Sequence, residues 1–166
     1  KKTVIPVIHD ADMGDARHTR DPKVWKSGDT WYMVLGSTIG DSQGRLLFFT
    51  SEDGEKWNFK NSATKENLGW MWECPDYFEA DGKQIAIFSP MGFLKDGKAD
   101  DAQAICMQVK FDEETCQMEL PDEYQFLDYG MDLYAPQSTL DAEGRRILVA
   151  WLRMPEPVDG KWQGMM

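Results

Sequence analysis

The sequence predicts an all-β fold of the β-propeller class, and three observations carry that prediction. Short apolar runs are separated by glycine turns, no stretch shows a helical period, and one unit recurs three times along the chain. The runs cover residues 30–35, 45–50, 84–88, 104–109 and 146–151.

Taken in order, Asp21-Pro22-Lys23-Val24-Trp25 opens the first unit as a short strand, and Ser27-Gly28-Asp29 turns the chain into the run at 30–35. Asp41-Ser42-Gln43-Gly44 leads into the run at 45–50, which ends at Asp53-Gly54. Cys74-Pro75-Asp76-Tyr77-Phe78 opens the second unit, and Ala80-Asp81-Gly82 turns it into the run at 84–88. After the run at 104–109, Glu113-Glu114 and the charges around them read as a hairpin tip and not a helix. Ala135-Pro136-Gln137-Ser138-Thr139 opens the third unit, and Asp141-Ala142-Glu143-Gly144 turns it into the run at 146–151. Glycine supplies the positive φ these turns need, and aspartate bonds its own backbone there.

The unit prolines stand 53 and 61 residues apart, which suits a four-stranded blade of roughly 40 to 50 residues plus loops. The chain is expected to hold about three blades, whereas closed propellers use about four or more, so open strand edges predict self-association. The start, Lys1-Lys2-Thr3, lacks Met, and Trp162-Gln163-Gly164-Met165-Met166 reads as the middle of a blade. Residues 1–166 are therefore expected to form part of a catalytic propeller domain, without its first blade and its C-terminal part.

Composition narrows the partners. The formal net charge of −11 repels polyanions and acidic membranes, which argues against nucleic acid. No run reaches the 18 or so apolar residues that span a bilayer. The cysteines, Cys74, Cys106 and Cys116, are odd in number and lack metal-ligand spacing, and His9 and His18 have no paired motif, so no metal is expected. Reduced thiols in a cytoplasmic-type compartment fit that pattern.

In a propeller the innermost strand of each blade lines the central channel, so equivalent residues converge. Arg20, Glu73 and Tyr134 share one column of the repeat, and Asp21, Cys74 and Ala135 share the next. Successive strand residues point to opposite faces, so Arg20 and Asp21 face the channel together only if the strand entry is irregular. The proline that follows favours such irregularity. Glu73 is the most informative residue, a carboxylate inside Trp70-Met71-Trp72-Glu73-Cys74-Pro75-Asp76-Tyr77-Phe78. Aromatic surroundings of that kind are expected to raise its pKa, as suits a general acid near neutrality.

Three motifs carry a resemblance to glycoside hydrolase family 32, the β-fructofuranosidases. They are Arg20-Asp21-Pro22-Lys23-Val24-Trp25, Trp72-Glu73-Cys74-Pro75-Asp76 and Tyr134-Ala135-Pro136-Gln137, the last followed by Gly144-Arg145-Arg146-Ile147-Leu148 and a tryptophan strand as in bacterial members. The resemblance implies a five-bladed propeller that cleaves fructose-containing saccharides with retention, through a covalent fructosyl-enzyme intermediate and without a cofactor. It implies Glu73 as general acid/base and Asp21 as transition-state stabiliser holding fructose hydroxyls. Arg20 and Tyr134 are implied as substrate-binding residues beside the acid, with Trp72 and Cys74 as further contacts. The family's nucleophile is an aspartate in an Asn-Asp-Pro-Asn-Gly motif, which these 166 residues do not contain. The isolated chain is accordingly expected to be inactive.

Other readings fit parts of the sequence. Thr50-Ser51-Glu52-Asp53-Gly54-Glu55-Lys56-Trp57 is similar to the Asp-box turn of sialidases, although it occurs once and only Arg20 stands in the matched column. An arabinanase-like or xylosidase-like propeller shares the chemistry but not the Glu-Cys-Pro tripeptide. A non-catalytic sugar-binding propeller module would be expected to have lost the acid.

Overall fold

In the computed structural model the described residues are 2–95, 98–99, 103–130 and 132–153, so the expected mid-blade segment at 162–166 lies outside them. Among the described residues every regular element is a strand, and all pairing is antiparallel.

The first sheet has the order β1 (Arg20–Ser27), β2 (Thr30–Ile39), β3 (Gln43–Ser51), β4 (Asn58–Thr64), a meander closed by the turns the sequence marks. β4 reads Asn-Phe-Lys-Asn-Ser-Ala-Thr, too polar to stand out in the sequence, and it forms because β3 offers it an edge. The turn between β3 and β4 is the Asp-box-like segment. Asp53 Oδ1 accepts from the Glu55 and Lys56 amides, both at 2.8 Å, and Trp57 Nε1 donates to the Gly54 carbonyl at 3.1 Å. Every one of those bonds is internal to the turn.

The second sheet is built on β5 (Met71–Ala80) and β6 (Lys83–Met91). A short hairpin of β7 (Leu94–Lys95) and β8 (Lys98–Ala99) separates them from β9 (Ile105–Asp112) and β10 (Gln117–Glu119). The sheet order is β10-β9-β6-β5, with β11 (Gln125–Phe126) also paired to β9. Residues 113–116 form the tip between β9 and β10, as the charges there predict. β12 (Leu133–Leu140) and β13 (Arg146–Leu152) make a two-stranded third sheet. Two complete blades and the inner half of a third are thus described.

β2 and β3 are buried on both faces, which is why they read as continuous apolar runs and not as alternating ones. Val34, Leu46 and Phe48 face the second sheet, where Trp72, Phe88, Ile105 and Met107 meet them. Met33, Leu35, Leu47 and Phe49 face the other way and are covered by Ile8 and its neighbours. Successive sheets lie face to face, with β5 against β1 and β2, and β12 against β5 and β6. That stacking places the three inner strands side by side.

Candidate functional site

The three inner strands share one irregularity. Between Arg20 and Lys23, between Glu73 and Asp76, and between Tyr134 and Gln137, three residues of the inner strand span the step that two residues of its partner span. The residue after each column member, Asp21, Cys74 or Ala135, has a positive φ of 60°, 49° or 51°. A left-handed conformation costs a non-glycine residue on the order of 1 kcal/mol or more, and here it recurs three times at the same place, each time just before proline. A bulge of this kind inserts one extra residue and re-aims the side chains on either side of it. It resolves the conflict raised by strand alternation, because Arg20 and Asp21 both reach the second sheet.

Arg20, Glu73 and Tyr134 meet. Arg20 Nε and Nη2 approach Glu73 Oε1 at 2.9 and 2.8 Å, while the Tyr134 hydroxyl donates to Glu73 Oε2. The Glu73 side chain is 18% exposed, so both carboxylate oxygens are held and one side remains open to solvent. The apolar pocket expected around Glu73 is not what forms. A guanidinium and a phenol flank the carboxylate, while Trp72 and Tyr77 lie in the core and Trp70 meets the His18 ring. Burial first, and the Glu73 carboxylate beside it, hold the Tyr134 proton well above the ordinary tyrosine range, so the phenol stays a donor. The Arg153 guanidinium lies 4.9 Å from the centre of the Tyr134 ring.

Asp21 and Cys74 form the second contact. Asp21 Oδ2 accepts from the Cys74 amide at 3.0 Å and from its thiol at 3.5 Å. Burial, then the negative charge of Asp21, push the Cys74 thiol up to about 12, so it remains a neutral donor that steadies Asp21. Trp72, expected as a substrate contact, is fully buried and stacks on Phe88 with ring centres 4.5 Å apart. Its indole lies against Gly44, where a Cβ would collide with the ring. Trp72 is therefore a packing residue, displaced from the site by the alternation that brings Glu73 to it.

Several residues around the site escaped the sequence reading. His18 Nδ1 lies 3.4 Å from Arg20 Nη1, and Arg20 Nη2 also reaches Met91 Sδ at 3.7 Å. One step along the inner strands, the Lys23 ammonium stands 2.9 Å from the fully buried Asp76 carboxylate. Gln137 Nε2 bonds the Cys74 and Pro75 carbonyls at 2.9 and 3.0 Å. Lys23 and Asp76 occupy matched positions of the repeat with opposite charge, a signal that was present in the sequence. Among the described residues no group of three His, Cys, Asp or Glu side chains could hold a metal ion, all three cysteines are free, and no helix is long and apolar enough to cross a membrane.

A family profile described as "Glycosyl hydrolases family 32 N-terminal domain" matches residues 1–166. The chain is 38% identical over 159 residues to a sucrose-6-phosphate hydrolase of Vibrio alginolyticus, covering 90% of this chain and 33% of that protein. It is 36% identical to the Bacillus subtilis sucrose-6-phosphate hydrolase, covering 89% of this chain and 32% of that protein. Among solved structures, a GH32 β-fructofuranosidase of Bombyx mori superposes with a TM-score of 0.83 at 34% identity, covering 99% of this chain and 36% of the other. The chain thus spans about a third of the length of the relatives it matches.

Proposed function

The chain belongs to glycoside hydrolase family 32, and from that premise we propose that the protein of which it forms part hydrolyses β-fructofuranosides such as sucrose, sucrose 6-phosphate or a fructan. The observation that carries the reading is the convergence of Glu73, Arg20 and Tyr134 from three successive inner strands, with Asp21 held beside them. Relatives described as sucrose-6-phosphate hydrolases, and a solved Bombyx mori β-fructofuranosidase mutant in complex with sucrose, support the substrate class.

Glu73, protonated, donates to the glycosidic oxygen as the bond to the fructosyl anomeric carbon breaks. A carboxylate nucleophile attacks that carbon from the opposite face and forms the covalent fructosyl intermediate. Glu73, now a carboxylate, takes a proton from the water that releases fructose. Retention by this route needs nucleophile and acid/base about 5 Å apart. These residues contain no Asn-Asp-Pro-Asn-Gly motif, so the nucleophile is assigned to chain beyond them and the 166-residue piece alone is assigned no turnover. Arg20 and Tyr134 set the position of Glu73, and Asp21, anchored by Cys74, takes fructose hydroxyls. Two carboxylates and water complete the reaction, with no cofactor in the scheme. Three free thiols and bacterial relatives support a bacterial cytoplasmic setting.

The test is fructose release from sucrose and from sucrose 6-phosphate by the full-length protein, with Glu73→Gln as control. Release that falls by about 100-fold or more in the variant supports the acid/base role. Release unchanged in Glu73→Gln would remove that role. Saccharide binding without release by the unaltered protein would favour a sugar-binding module.

A further inference from the structure

His18 lies just ahead of β1 and is used by none of the roles above. Its Nδ1 stands 3.4 Å from Arg20 Nη1. A guanidinium has donors and no acceptor, so this contact is a hydrogen bond only if Nδ1 presents a lone pair. Neutral imidazole then carries its proton on Nε2, and that nitrogen faces Asp41 Oδ1 at 3.7 Å. Asp41 is itself held by Arg17 Nη2 at 2.7 Å. The ring plane is set by Trp70, met edge-on at 5.2 Å between centres, and the His18 amide is tied to Asp15 Oδ1 at 2.8 Å. The imidazole is thus faced by a charged side chain at each ring nitrogen and by Trp70, and its side chain is 27% exposed.

We propose that His18 is a positioning residue for the acid/base, accepting from Arg20 through Nδ1 in the tautomer that Asp41 favours and so aiming the guanidinium at Glu73. The proposal rests on the fructosidase reading for its effect on rate, and on geometry alone for its tautomer. A continuous chain results, Asp41 to His18 to Arg20 to Glu73 to Tyr134, running from the β2–β3 turn across all three inner strands. Protonation of His18 puts an N–H where the acceptor was and sets two cations against each other, releasing Arg20 from its third anchor. The charged groups that act on the imidazole are Arg20 on β1, Asp41 on the turn, Asp15 and Arg17 on the preceding segment, and Glu73 beyond Arg20.

The experiment uses the full-length protein and two variants. His18→Asn places an amide oxygen where Nδ1 was and does not titrate, while His18→Phe keeps a ring against Trp70 with no acceptor. In His18→Phe, kcat/KM for a fructoside falls about threefold to tenfold at neutral pH, the worth of one such hydrogen bond. His18→Asn recovers most of that loss. A His18→Phe protein with unaltered kcat/KM, or an Asn variant no better than Phe, overturns the proposal. Nitrogen-15 spectra of the wild-type imidazole, assigned by the signal lost in His18→Phe, decide the tautomer without reference to turnover. In the neutral imidazole a protonated Nε2 and bare Nδ1 are expected, and an Nδ1–H tautomer overturns the proposal. Should the full-length protein release no fructose, the fructosidase reading falls while the spectra still decide this one.

Discussion

Lys23 is predicted to be the residue whose loss most damages the alignment of the inner strands. Its ammonium lies 2.9 Å from Asp76 Oδ1 and 2.5 Å from the Ser138 carbonyl, and the Ser138 amide donates to Asp76 Oδ2 at 2.7 Å. One cation therefore joins β1, β5 and β12. The Asp76 side chain is fully buried and that of Lys23 is 17% exposed, so the pair sits where removal of one partner strands the other. Lys23→Met leaves a buried carboxylate with a single amide for company, a change worth about 3 to 5 kcal/mol. Asp76→Asn keeps an acceptor for the Ser138 amide and leaves a lysine that still has the Ser138 carbonyl and some water, worth about 1 to 3 kcal/mol. The double variant carries no buried charge and should resemble Asp76→Asn, so the two losses fall short of additivity by the whole Lys23→Met loss, about 3 to 5 kcal/mol. Thermal unfolding of the full-length protein and its three variants measures the order. A Lys23→Met protein that melts with the wild type, or a double variant whose loss equals the two single losses combined, would refute the reasoning.

Further outcomes are expected. Gly36 pairs with Arg20 in the ladder, and a Cβ there would collide with the Trp72 carbonyl oxygen, so Gly36→Ala should destabilise by about 1 to 3 kcal/mol or more and lower fructose release by shifting Glu73; wild-type melting and activity would contradict this. Tyr134→Phe removes the donor to Glu73 Oε2 and should lower kcat/KM roughly tenfold or more while changing its pH profile, and an unaltered profile counts against the contact. The Cys74 thiol, pushed up from 9.0 to about 12, should resist iodoacetamide at neutral pH in the folded protein and react once it is unfolded. Because the folded state holds that proton more tightly, its contribution to stability is complete below pH 9.0 and fades as pH rises to about 12, which alkaline melting curves of Cys74→Ser against wild type will show. The isolated chain should self-associate, since Ile147, Val149, Trp151 and Leu152 are exposed on β13, and a monomer by light scattering would contradict it.

Much of the architecture was legible locally. The apolar runs and glycine turns mark the longer strands, and the proline-led repeat aligns Arg20, Glu73 and Tyr134 along the sequence. β4, β10 and β11 were not legible, because they are short or polar and exist through the partner edge beside them. The placement of Trp72 and Glu73 on opposite sides of β5 follows from strand alternation. Which of the two enters the core depends on Gly44 and Phe88, both outside β5.

By itself, the sequence determined an all-β repeat, the family its motifs resemble and the column from which the site is built, since each is written in residues close together along the chain or at a fixed repeat. Only the tertiary structure decided that three left-handed residues turn neighbouring side chains to one side, that Arg20 and Tyr134 take the two oxygens of Glu73, and that Lys23 ties β1 to β5 and β12. Those outcomes are contacts between residues roughly 50 to 115 positions apart or across a bulge, and local propensity carries no term for a partner that only folding brings near.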